Sequence, residues 1–215
     1  MIDELRSRRA LRTTYSILAP LYDMLVPLIS RRARTLGHKW LDVHDGERVL
    51  DVGTGTGLAL RPLAESNPHG WTEGFDAHPA MLARARSRMQ TCPHRRYGLR
   101  QALATDLPYH SNSFDAVYSS YLIDLLPTTD RSQTLREMHR ALHPDGRLVL
   151  VYLAPPQRPV ERAWAHLAHL FPPLLGGSRP VALQPSLEAS GFDVLRHTTH
   201  AQAGLRSAIV CATPR

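Results

Sequence analysis

A chain of 215 residues with 43% hydrophobic and 21% charged side chains has room for one well-packed domain, and this composition excludes a disordered or fibrous protein. No apolar run approaches the roughly 18 to 20 residues of a membrane span, and the acids in Met1-Ile2-Asp3-Glu4 do not fit a secretory signal, so a cytoplasmic location is expected. The net charge of +7 rests on arginine, with Lys39 the single lysine, and it fits either a solvated basic surface or one that meets anionic lipid or nucleic acid.

About forty residues of mostly helical character come first. Arg48–Val52 then reads as a buried strand that ends in a glycine-rich turn, and 58–65 as a helix. Trp71–Asp76 reads as a second strand, 80–89 as an arginine-rich helix, 99–104 as a third strand and Phe114–Ser120 as a fourth. A helix over 131–142 stops at His143-Pro144-Asp145-Gly146, before a fifth strand over 147–152. Prolines and glycines then bracket a short helix with Trp164, His166 and His169, and Phe171 follows it. A helix over 185–190 and strands over 192–195 and 205–212 close the chain. Strands alternating with helices predict an α/β, Rossmann-like, doubly wound fold. Its seven-stranded sheet is mostly parallel with an antiparallel edge strand, and a helical cap (1–40) precedes the core (41–215) within one structural domain.

Gly53, Gly55 and Gly57 occupy alternate positions directly after the first strand and before a helix. Glycine there lets backbone approach a ligand closely. The spacing differs from the dinucleotide pattern, and Asp51 would repel a pyrophosphate but attract a ligand's ammonium group. Asp76 stands at the end of the second strand, where such folds hydrogen-bond ribose hydroxyls, and Asp106 follows the third strand, within reach of an adenine amino group. The three acids share the crevice at the strand tips where open α/β sheets bind ligands.

Val49-Leu50-Asp51-Val52-Gly53-Thr54-Gly55-Thr56-Gly57 resembles the first motif of class I S-adenosylmethionine-dependent methyltransferases. Gly74-Phe75-Asp76-Ala77-His78-Pro79-Ala80-Met81-Leu82 is similar to their second, and the stretches from Phe114 and Leu142 to later ones. The resemblance implies S-adenosylmethionine as cofactor and S-adenosylhomocysteine as product. It assigns the methionine part to Gly53, Gly55 and Gly57, the ribose to Asp76 and the adenine to Asp106 and Met81. Thr54, Ala77, Thr105, Leu107 and Ser119 complete the expected cofactor set.

The segment Tyr15-Ser16-Ile17-Leu18-Ala19-Pro20-Leu21-Tyr22-Asp23 resembles the one that precedes the core in ubiquinone/menaquinone-biosynthesis methyltransferases and related bacterial phospholipid N-methyltransferases. That resemblance makes Tyr15 and Tyr22 acceptor-side residues. Asp124 stands where many relatives carry histidine or asparagine, and reads as an acceptor of a substrate proton or amine, or as an ordinary helix-start acid. The expected acceptor is a small or lipophilic molecule, a quinone precursor or a phospholipid headgroup amine. A soluble natural product is the alternative within the class, and a non-catalytic cofactor-binding domain the alternative outside it.

Nucleic acid is disfavoured, because Ser119-Ser120-Tyr121-Leu122 lacks the paired prolines of nucleobase amino-methylating enzymes and neither Cys92 nor Cys211 suits cytosine attack. Arg6, Arg8, Arg9 and Arg12, with Arg31, Arg32 and Arg34 after an apolar run, fit contact with an anionic membrane or a solvated face. No metal site is expected, and the oligomeric state stays open.

Overall fold

The structure is a computed structural model that describes residues 30–163, 178–202 and 204–215. Arg48–Val52 forms β1, and every side chain from Val49 to Val52 is buried, as in a central parallel strand covered on both faces. Around it lie β2 (Trp71–Asp76), β3 (Tyr97–Gln101), β4 (Phe114–Ser120), β5 (Leu142–Leu153), β6 (Phe192–Gln202) and β7 (Leu205–Pro214). They form a seven-stranded sheet in the order β3-β2-β1-β4-β5-β7-β6. The chain runs outward on one side of β1 to β3 and then returns to β4. A crevice therefore opens between the C-terminal ends of β1 and β4, the switch point of a doubly wound sheet. The antiparallel character belongs to the terminal pair, in which β7 inserts between β5 and β6 and runs antiparallel to both.

Helices cover the two faces: α1 (30–41), α2 (Leu60–Glu65), α3 (Pro79–Met89), α4 (Thr128–Ala141), α5 (159–163) and α6 (Gln184–Ala189). Alternation along the strands sorts the core into two layers. Leu50 and Val52 of β1 and Leu148 and Leu150 of β5 pack with Leu135 and Met138 of α4 and Leu187 of α6. Val49, Val149 and Val151 point the other way, against Ala33 and Leu41 of α1 and Leu63 of α2.

The strand over β5 is longer than the sequence suggests. Instead of a turn at His143-Pro144-Asp145-Gly146, pairing to β4 starts at Leu142 and shifts register between Phe114 and Ala116, an irregularity that accommodates Pro144 and Gly146. β3 begins earlier and ends at Gln101, and Leu103 instead forms an isolated bridge with Asp106 that tightens the following turn. Of the expected helical cap, 30–41 is described. Tyr15, Tyr22, Arg6, Arg8, Arg9 and Arg12 lie outside the described residues, as do Trp164, His166, His169 and Phe171. Among the described residues no helix is long and apolar enough to cross a membrane, and no cluster of three metal-ligating side chains occurs.

Candidate cofactor and acceptor site

The turn after β1 carries Gly53, Gly55 and Gly57 at φ values of 72°, 55° and 79°. Left-handed backbone at three alternate positions is costly for any residue with a Cβ. At Gly55 nothing lies within 4 Å of the place a Cβ would take, so its bare backbone faces open space that a ligand can enter. The turn is closed by Thr54 N–H to Phe75 O at 2.8 Å and by Gly57 N–H to Thr54 O at 2.9 Å. The Ser119 hydroxyl at the end of β4 donates to Val52 O at 2.7 Å, which fixes the two strand tips together.

Asp76 ends β2 and is buried. Its Oδ2 accepts from Gly55 N–H at 2.9 Å and its Oδ1 from His78 N–H at 2.8 Å. Burial pushes the Asp76 carboxyl up, and those two amides pull it back. A carboxylate oxygen has capacity beyond one amide, so each Asp76 oxygen can still accept from a ligand hydroxyl. Ala77 is exposed next to it, and Met81, on the first turn of α3, is buried.

Asp51 is fully buried. The Thr54 hydroxyl donates to its Oδ2 at 2.7 Å, and its Oδ1 has no partner. Burial pushes its pKa up to about 7, and the Asp76 carboxylate adds to the rise, against the Thr54 hydroxyl and the Arg34 guanidinium. A buried carboxylate oxygen without a donor is costly, and a cationic ligand group satisfies it. The unpartnered oxygen and the open Gly55 backbone fit the amino-acid end of S-adenosylmethionine.

Two residues of this cluster escape a reading of the sequence. Arg34, grouped there with membrane-facing arginines, is only 8% exposed on α1 and acts electrostatically on Asp51, Tyr118 and Tyr121. His38, one helical turn later, lies edge-on to Tyr118 at 4.9 Å between ring centroids, and burial beside Arg34 lowers its pKa to about 4. Their i, i+4 spacing with buried Ala33 and Leu41 alongside was the available signal for an inward-facing stripe. Arg31 and Arg32 are exposed.

The third acid sits differently. Asp106 is exposed in the turn after β3, between half-buried Thr105 and buried Leu107. Helix α4 holds that turn: Leu107 N–H donates to Glu137 Oε2 at 2.9 Å, and Arg140 donates to Leu107 O at 3.0 Å and Tyr109 O at 2.7 Å.

Across the crevice, Ile123–Leu125 forms a single 3₁₀ turn after β4, and Asp124 within it is 1% exposed. Neither carboxylate oxygen makes a well-formed hydrogen bond. Burial pushes its pKa up to about 6; Ser178, nearby backbone and Arg131 moderate that rise without reversing it. A carboxylate poised near neutrality is suited to accept a proton.

The methyltransferase-domain family matches residues 49–146, the glycine turn through β5's entry. The chain is 33% identical over 175 residues to a ubiquinone/menaquinone biosynthesis C-methyltransferase of Citrifermentans bemidjiense, covering 78% of this chain and 74% of that protein. It is 36% identical over 154 residues to a demethylmenaquinone methyltransferase of Deinococcus radiodurans, covering 69% of this chain and 62% of that protein. In fold it is similar to the magnesium protoporphyrin IX methyltransferase of Synechocystis PCC 6803 with bound S-adenosylhomocysteine, with TM-score 0.69 at 18% identity over 87% of this chain and 85% of that one. The chain therefore belongs to the class I S-adenosylmethionine-dependent methyltransferases, in the group of the ubiquinone/menaquinone-biosynthesis C-methyltransferases.

Proposed function

We propose that this enzyme methylates a ring carbon of a lipophilic, reduced quinone precursor, with Asp124 as the general base. The observation that carries this reading is the buried Asp124 carboxylate, neither oxygen of which makes a well-formed hydrogen bond, beside the switch point of the sheet. A phenolic hydroxyl supplies a donor of good geometry to that carboxylate. Asp124 accepts the phenolic proton, the negative charge spreads to the adjacent ring carbon, and that carbon attacks the methyl group. The ring proton on the same carbon then passes to the ring oxygen, which restores the aromatic phenol, and Asp124 releases the proton it took to solvent as the product departs. Bound S-adenosylmethionine would supply a methyl group already activated on a sulfonium, with S-adenosylhomocysteine as the leaving group, so the chain's own work is orientation, exclusion of water and removal of the phenolic proton.

In the same reading Asp51 and the Gly53–Gly55–Gly57 turn hold the methionine part, Asp76 the ribose, and Asp106, Met81 and Leu107 the adenine, with Thr54, Ala77, Thr105 and Ser119 shaping the pocket. Tyr15 and Tyr22 belong to the acceptor side, and basic side chains such as exposed Arg31 and Arg32 favour peripheral contact with an anionic membrane that carries the acceptor. The sequence relatives are named for quinone methylation, which favours a quinol over a headgroup amine. Methyl-labelled cofactor offered with reduced benzoquinone and naphthoquinone precursors, their oxidised forms, phosphatidylethanolamine and small phenols tests the proposal. Turnover of the reduced quinones supports it, and turnover confined to amine acceptors overturns it.

A further inference from the structure

Tyr121 stands at φ 56°, in the left-handed region that a bulky aromatic residue rarely adopts. Such strain persists only where the surroundings over-determine it, and it clusters at functional sites. Tyr121 N–H donates to Val151 O at 2.7 Å, and its phenol shares a 2.8 Å hydrogen bond with Ser207 Oγ on β7. The turn that follows is held as firmly. Arg131 donates to Ile123 O at 3.1 Å and to Leu126 O at 3.0 Å, and Arg179 N–H donates to Asp124 O at 2.8 Å. The backbone from Tyr121 to Leu126 is thus pinned at several points, while the one carboxylate it carries makes no well-formed hydrogen bond.

We infer that Tyr121 is a positioning residue, whose strained corner and hydrogen bond to Ser207 aim the Asp124 carboxylate at the acceptor. This rests on the reading of Asp124 as the base. The groups that face the carboxylate are the Tyr121 phenol in the same corner, Arg131 from α4 and Ser178; Arg34 of α1 faces Tyr121 in turn. Burial pushes the Tyr121 phenol up to about 12, so it stays neutral and serves as a fixed hydrogen-bonding anchor while the carboxylate titrates.

The test uses the full chain with saturating S-adenosylmethionine and a short-tailed reduced naphthoquinone. Tyr121→Phe removes only the hydroxyl. It should lower kcat about tenfold with KM and cofactor affinity within about twofold, since a misaimed base costs rate rather than binding. It should also move the acid limb of the kcat profile and the Asp124 carboxyl titration followed by carbon NMR, a readout that needs no acceptor. Ser207→Ala should give the same loss, and the double variant no further loss, because both remove one shared interaction; Ser207→Ala carries the test if Tyr121→Phe folds poorly. An unchanged rate and unchanged Asp124 titration, losses that multiply in the double variant, or an equal fall in cofactor affinity would overturn the inference. Asp124→Asn separates the two failures. If it abolishes the acid limb while Tyr121→Phe leaves that limb in place, only the positioning role is lost. If Asp124→Asn keeps the wild-type rate, the base assignment itself falls.

Discussion

The Gly55 amide donates to Asp76 Oδ2 across 2.9 Å, joining the turn after β1 to the tip of β2. In the proposed assignment, the acid for the ribose thereby also sets the shape of the turn for the methionine part. Replacing Asp76 with alanine should weaken S-adenosylmethionine binding by about 1 to 3 kcal/mol through lost charge-assisted hydrogen bonds. Titration calorimetry checks this, and unchanged affinity places the ribose elsewhere.

Gly55 gives a second prediction. With φ at 55° and open space above it, a Gly55→Ala chain meets no neighbour in the protein, so the folding cost is backbone strain alone. A strain of about 1 kcal/mol corresponds to a fall in Tm of roughly 2 to 4 °C. The new methyl occupies the ligand's approach, so affinity for the cofactor should drop by about tenfold or more. A thermal shift with undiminished affinity contradicts the assignment.

Asp51 makes stability depend on pH in an unusual direction. Its pKa rises on folding from 3.8 to about 7, so in that window the folded state keeps a proton that the unfolded chain has released. Stability therefore falls as pH rises through the window. Asp51→Asn, neutral throughout, should flatten that fall in a Tm series from pH 4 to 8 and should weaken cofactor binding at neutral pH. In the native chain a cationic ligand favours the ionised carboxylate, so cofactor affinity should tighten as pH rises towards 7.

The opposite sign applies at Glu161. Both its oxygens accept from Arg206, at 3.0 and 2.9 Å, and Oε2 also accepts from the amides of Gln157 and Arg158. Hydrogen bonds from Arg206, the largest cause, lower its pKa from 4.5 to about 2. Stability from this pair is full above about pH 4.5 and is lost as pH falls towards 2. Arg206→Met leaves Glu161, which is 2% exposed, without its counter-ion, and should lower Tm at pH 7 by roughly 5 to 10 °C. Adding Glu161→Gln should recover part of that loss.

β1, β2 and β4 are legible in the sequence to the residue, because each is a short stretch bounded by turn residues. β6 is not: only 192–195 reads as strand, whereas pairing with β7 carries it to Gln202 through His197, Thr198 and His200, polar residues whose strand character comes from the partner. At the candidate site, the glycines, Asp51 and Asp76 are visible from spacing, and Asp106 is visible as a position in the turn after β3. The inward turn of Arg34 has only the weak signal of its spacing with Ala33, His38 and Leu41, since a charged side chain reads as surface until Asp51 and Tyr118 are known to lie opposite. Asp124 is visible as a position, but its burial comes from tertiary packing.

The direct test of the account is where the methyl group lands. Reaction of the enzyme with carbon-13-methyl S-adenosylmethionine and a reduced naphthoquinone precursor, with the product read by NMR, should place the label on the ring carbon next to a hydroxyl. Label on oxygen, or no transfer to the quinol while an amine acceptor is methylated, would contradict it.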